Sequence, residues 1–126
     1  MTELNAIGIV VADMGRSQRF YRALGLDVPD TPGEEHISIE LPNGVRLMLD
    51  TEDVARSFLD DWRRGDGDQI SFALECASPA EVDELHARVV AAGFESRRDP
   101  WDAYWGQRYA VLRDADGVRV NLYATL

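Results

Sequence analysis

Apolar residues alternate with polar or small ones in several short runs of the chain. Ile7, Ile9 and Val11 fall on one side of residues 6–11, and Ile70, Phe72 and Leu74 do the same in 69–74. Ile37, Ile39 and Leu41 form a third such row, Val45, Leu47 and Leu49 a fourth, and Val118, Val120 and Leu122 a fifth. A period of two is the signature of strands with one buried face. Two stretches break this rhythm and read as helices. In "MGRSQRFYRALG", Asp13 is the expected N-cap and Gly25 the stop. In "SPAEVDELHARVVAAG", Ser78 caps, Pro79 takes the first helical position, Glu81 completes a capping box and Gly93 ends the helix.

The order of these elements repeats. "NGVRLMLD" at 43–50 returns as "DGVRVNLYA" at 116–124, each after a turn-forming stretch, "PNG" and "DADG". Each helix is followed by a short predicted strand start, "LGLDV" and "AGFES", and then by a further strand, "HISIEL" or "RYAVLRD". The chain therefore reads as one α+β domain, 1–126, of two tandem β-α-β-β-β modules over about 4–52 and 68–125. The expected result is a cupped mixed sheet with helices outside. Residues 53–67 form the linker, whose first part is a predicted short helix carrying Phe58 and Trp62 and whose "RRGDGD" end is a loop. If the apolar rows pack on the helices, the opposite strand faces carry Ala6, Gly8, His36, Ser38, Glu40, Arg46, Met48, Asp50, Gln69, Ser71, Arg119, Asn121 and Tyr123. Such a mixed face is either solvated or the lining of a concavity.

Composition narrows the function. Net charge is −10, and all 13 basic residues are arginines. That balance argues against nucleic acid and adds a preference for cationic ligands to an otherwise solubilising surface. An apolar fraction of 45% over 126 residues suits a real core. The single cysteine, Cys76, excludes an intrachain disulfide and is expected in the core. No signal peptide and no membrane span are legible, so the expected location is the cytoplasm.

"GIVVADMGRSQRFYRALGLDV" and "WGQRYAVLRDADGVRVNLY", together with the repeat, resemble the glyoxalase, bleomycin-resistance and extradiol-dioxygenase superfamily, the vicinal oxygen chelate fold. The resemblance implies a metal ligand from the first and last strand of each module. These positions map to Ala6 and Gln69, and to Met48 and Asn121. None is His, Asp, Glu or Cys: alanine has no donor, a thioether suits only copper, and two carboxamides make a poor divalent site. No metal and no other cofactor is therefore expected. His36, Glu40 and Asp50 share the same face and are the residues for a displaced site or an acid/base group. His86 is expected as a partly exposed helix residue.

The segment "DPWDAYWGQRY", 99–109, sets Trp101, Tyr104, Trp105 and Tyr109 close together, and its Pro and Gly predict a loop. Two roles stay open: the wall of a ligand site, or a core or dimer contact. In drug-binding relatives, the resemblance implies, a loop here borders a groove at a dimer interface. The expected function is a metal-free binding protein of the bleomycin-resistance type for a planar aromatic compound, with positive charge a secondary expectation. Its cavity is expected to be lined by Arg46, Met48, Gln69, Arg119, Asn121 and Tyr123, with Trp101, Tyr104 and Trp105 at the rim, in a homodimer. The alternative is a lyase, isomerase, epimerase or dioxygenase of the same fold.

Overall fold

The computed structural model describes residues 1–126. Strand β1 (Ala6–Val11), helix α1 (Met14–Ala23), β2 (His36–Glu40) and β3 (Arg46–Thr51) make the first module. The short helix α2 (Glu52–Phe58) leads into the linker. Strand β4 (Ser71–Glu75), α3 (Pro79–Ala91), β5 (Ser96–Ala103), β6 (Gln107–Arg113) and β7 (Arg119–Thr125) make the second. The first sheet has the order β1-β3-β2 and the second β4-β7-β6-β5. In each, the first strand lies parallel to the last, and the remaining neighbours are antiparallel.

The alternation does what the sequence demands. Leu49, Leu112, Val120 and Leu122 are fully buried, and Phe20 and Tyr21 of α1 and Val82 and Val89 of α3 pack in the same core. Both helices start and stop as their residues dictate. Asp13 accepts from the Arg16 N–H and Ser78 from the Glu81 N–H, while Gly25 and Gly93 follow with φ of 91° and 96°.

Five expectations need correction. "LGLDV" forms no strand, so the first sheet has three strands against four. The buried Gln18 side chain holds the Thr31 backbone from both sides, donating to its carbonyl at 3.2 Å and accepting from its N–H at 3.0 Å. Pro29 has no N–H to give a ladder, so this segment satisfies its polar groups on α1 instead. "DPWDAYWGQRY" is not a loop: Asp99–Ala103 belong to β5, and only Tyr104–Gly106 turn before β6. β5 is an edge strand with two register shifts, between Ser96 and Arg98 and between Arg98 and Trp101. That is where a strand tolerates a residue such as Pro100. His86 is buried, because the face of α3 that carries it lies on β5; its Nε2 is 2.6 Å from Ser96 Oγ. Trp62 lies beyond α2, with the guanidiniums of Arg56 and Arg64 at 5.2 and 5.5 Å from its ring.

The fifth correction is one of register. Asn121 lies beside Ala73 as Met48 lies beside Gly8, and Arg119 beside Ser71 as Arg46 beside Ala6. Ala6 therefore corresponds to Ser71, not to Gln69, which precedes β4 in the exposed link. The offset is two residues, so the facing of every strand residue survives it.

The modules meet through the second "DADG" turn. Asp116, with its side chain 3% exposed, accepts from the Ala12 N–H and from Ser17 Oγ, and pairs with Arg64 at 3.2 Å. Asp114 accepts from the Tyr21 hydroxyl at 2.6 Å and from the N–H groups of Asp116 and Val118. Gly67 of the linker comes so near this turn that a Cβ there would lie 2.9 Å from the Gly117 carbonyl. Phe20 and Phe94 close the junction edge to face. No helix is long and apolar enough to cross a membrane.

Candidate functional site

The face of each sheet turned away from its helix carries the polar and aromatic residues. On the first sheet, Arg46 donates through Nε to Ser38 Oγ at 2.9 Å and makes no ion pair with Glu40, its neighbour across the strands. His36 and Asp50 face each other and are joined through Nδ1 and Oδ1. Glu40 lies four residues further along β2, about 13 Å away at strand rise. The trio expected for acid/base work or a displaced metal is thus a pair and a separate carboxylate. No three His, Cys, Asp or Glu residues gather in a way that could hold a metal. The four mapped ligand positions fit a divalent ion no better. In the observed register they are Ala6, Met48, Ser71 and Asn121, with one hydroxyl, one amide and one thioether among them.

The second sheet is different. Trp101 on β5, Tyr109 on β6 and Tyr123 on β7 are consecutive partners in the ladder, so their rings form a row across three strands. Ring centroids are 5.5 Å apart for Trp101 and Tyr109, edge to face, and 6.4 Å for Tyr109 and Tyr123, stacked. Trp105 leans on this row at 5.3 Å from Tyr109 and 6.0 Å from Trp101, its indole N–H held by Gln107 at 2.8 Å. It remains 48% exposed, and Tyr104 beside it 97% exposed. The Arg98 guanidinium lies over the Trp101 ring at 3.6 Å. The Tyr123 hydroxyl donates to Glu75; burial and that bond push its pKa up, so it stays a neutral donor.

Beyond the rings on β7 come Asn121 and then Arg119. Asn121 is 8% exposed, and its Oδ1 is buried without a hydrogen-bond partner. Arg119 Nε is likewise buried and unpartnered. The structure therefore brings together Trp101, Trp105 and Tyr123, with Tyr104 at the margin, and sets Asn121 and then Arg119 further along the same face of β7. It leaves Arg46 and Met48 on the other sheet and Gln69 outside both. Of the nine expected ligand residues, only Gln69 lines one of the four principal cavities. That cavity, of about 350 Å³, lies between β1, the linker and β4. The aromatic site is an open face of the chain, not an enclosed pocket. Tyr109 belongs to the row, as the "Y" of "GQRYAV" spaced for the same face; its sequence places it both in the strand 108–114 and among the aromatics of 99–109, but not among the nine expected ligand residues. Cys76 is buried, and that burial pushes its thiol up to about 11, so it is held as the neutral thiol at neutral pH.

The pattern of the Glyoxalase/Bleomycin resistance protein/Dioxygenase superfamily matches residues 3–122. A glyoxalase-related enzyme from Fulvimarina pelagi is similar in structure with a TM-score of 0.85 at 21% identity, over 99% of this chain and 89% of that one. A glyoxalase/bleomycin resistance protein/dioxygenase from Nocardioides is 25% identical with a TM-score of 0.77, over 100% and 85%. A protein from Agrobacterium tumefaciens solved by NMR is 26% identical with a TM-score of 0.76, over 100% and 99%. No curated protein matches the chain in sequence.

Proposed function

The chain belongs to the glyoxalase/bleomycin resistance protein/dioxygenase superfamily, and within it we propose a protein that binds a planar aromatic compound by stacking, without a metal. The observation that carries this reading is the row Trp101–Tyr109–Tyr123 with Trp105 upon it, on a face no helix covers. Buried aromatic side chains normally disappear into a core; here the row stands on the open side of the sheet, where flat π-systems have their use. The donor-poor set Ala6, Met48, Ser71 and Asn121 supports binding over metal-assisted chemistry because it lacks the charge a divalent ion requires. A second copy of the chain is the proposed cover of this face, making a homodimer, and the cytoplasm is the proposed location.

The test is a panel of planar aromatic compounds read by thermal shift and by tryptophan fluorescence, since a binder stabilises the fold by mass action. Trp101→Ala and Trp105→Ala are each expected to weaken a hit several-fold. A hit unchanged in both variants would remove the platform from the reading. Elemental analysis of protein purified without chelator completes the test: one equivalent of Zn, Ni, Mn or Fe, lost in Asn121→Ala, would return the chain to metal chemistry.

A further inference from the structure

The end of the second sheet opposite the rings is crowded with guanidiniums. Arg119 at the start of β7 is the ladder partner of Arg113 at the end of β6. Arg97, in the irregular start of β5, is paired with Asp68. The Arg97 hydrogen bond, then against burial the charge of Arg97 and, less, those of Arg119 and Arg113, hold the Asp68 carboxyl below its ordinary range, so all three cations lie within electrostatic reach of one carboxylate. Glu95 approaches Arg113 at 3.8 Å. Three positive charges thus face two negative ones, on a chain whose net charge is −10.

Arg119 takes no part in these pairings. It makes no ion pair and no hydrogen bond within the chain, and its Nε is buried without an acceptor. Two residues along the same face, Asn121 is more than nine-tenths buried and its Oδ1 is equally unpartnered. A buried polar atom without a partner costs free energy, and two adjacent ones, the Arg119 Nε donor and the Asn121 Oδ1 acceptor, on a face already equipped with aromatic rings mark a place where a ligand completes the bonding. Strand geometry puts Arg119 and Tyr123 about 13 Å apart at Cα, with Asn121 midway on the same face.

We infer that the ligand is an aromatic acid: its ring lies on Tyr109 and Tyr123 against the edge of Trp101, whose own face Arg98 already covers, and its carboxylate or other planar oxyanion is taken by Arg119, with the Asn121 amide beside it. A guanidinium fits a planar oxyanion through paired N–H donors. The Asn121 amide, turned over, offers its NH₂ to the same oxyanion. This rests on the reading of the aromatic row as a ligand platform and reverses the charge that the acidic composition alone would favour.

The experiment is calorimetric titration of naphthalene-2-carboxylate and naphthalene-2-carboxamide into the wild type, Arg119→Gln, Arg119→Lys and Trp101→Ala. The carboxylate is expected to bind at least five-fold more tightly than the carboxamide to the wild type. In Arg119→Gln the two should become equal through loss of carboxylate affinity alone, and Arg119→Lys should keep part of the preference. Equal binding of both compounds to the wild type, weakened in Trp101→Ala, would overturn the acid recognition and leave the platform standing. A preference that survives in Arg119→Gln would also overturn it. Failure of both compounds to bind at millimolar concentration would remove the platform and the acid site together.

Discussion

Asn121 stands in the second copy of a strand whose first copy has Met48 at the same place. Duplication explains the strand, and the difference between the copies isolates the function. Met48 packs beside Gly8 and asks for no partner, with its Cε 3.6 Å from where a Gly8 Cβ would lie. Asn121 is buried between Ala73 and Val111 with its amide unbonded. An orphan acceptor costs about 1–3 kcal/mol relative to an apolar group of similar shape, and methionine adapts readily to the space. Asn121→Met, which copies the first module, is expected to raise unfolding stability by roughly 1 kcal/mol while lowering affinity for aromatic acids. Denaturant melts and the carboxylate titration check the two halves separately. A variant that is destabilised by more than the experimental spread would mean that the amide already has its partner. Stability given up at a binding position is a common pattern, because the group is bonded only when the ligand is there.

At the scale of elements, period-two alternation fixed which strand residues face the helices, and Gln69's two-residue misplacement left the parity intact. Capping residues announced α1 and α3 for an equally local reason. What was not legible depended on partners far along the chain or on a position within a sheet. Pro100 read as a loop former because nothing local says that β5 is an edge, where a missing N–H costs no ladder bond. The absent fourth strand of the first sheet depends on Gln18, thirteen residues from Thr31 and on the helix. That side chain can be tested. Gln18→Ala should strip the Thr31 carbonyl and N–H of their partners and destabilise the fold by about 2–4 kcal/mol. Urea melts measure this directly. A loss below roughly 0.5 kcal/mol, the level of an ordinary surface change, would show that the segment after α1 is held by its own contacts with the core.

The whole molecule depends on two modules keeping one arrangement, and the "DADG" turn is where they are held. Its sequence announced a hairpin, yet its carboxylates bind Ala12 and Tyr21, 104 and 93 residues away, which no local pattern could reveal. Because α1 hangs on Asp114 and Asp116, the platform on the second sheet and the first module share one scaffold. The junction is also the protein's titrating element. Burial raises the Asp114 carboxyl above its ordinary range, against the pull of hydrogen bonds from Tyr21, Val118 and Asp116. Burial, and then the negative charge of Asp114, raise the Tyr21 hydroxyl well above its own. Both are acids whose neutral form the fold prefers. The stability each contributes is complete below its unfolded pKa, about 3.9 for Asp114 and about 10 for Tyr21. It is lost as pH rises through the folded value. Asp114 therefore takes stability from the fold as pH rises above about 3.9, and Tyr21 does so above about 10, while Asp68, held low by Arg97, works in the opposite sense over the acidic range, so the Asp114 effect is read as a difference between variants. Asp114→Asn cannot ionise and keeps one acceptor for the turn. Its stability deficit against the wild type should be greatest near pH 4 and should narrow as pH rises toward neutrality. Thermal melts of the two proteins across that range decide the point. A deficit that instead widened with pH would mean that the ionised carboxylate is the form the junction prefers, with the hydrogen bonds of Tyr21, Val118 and Asp116 outweighing its burial.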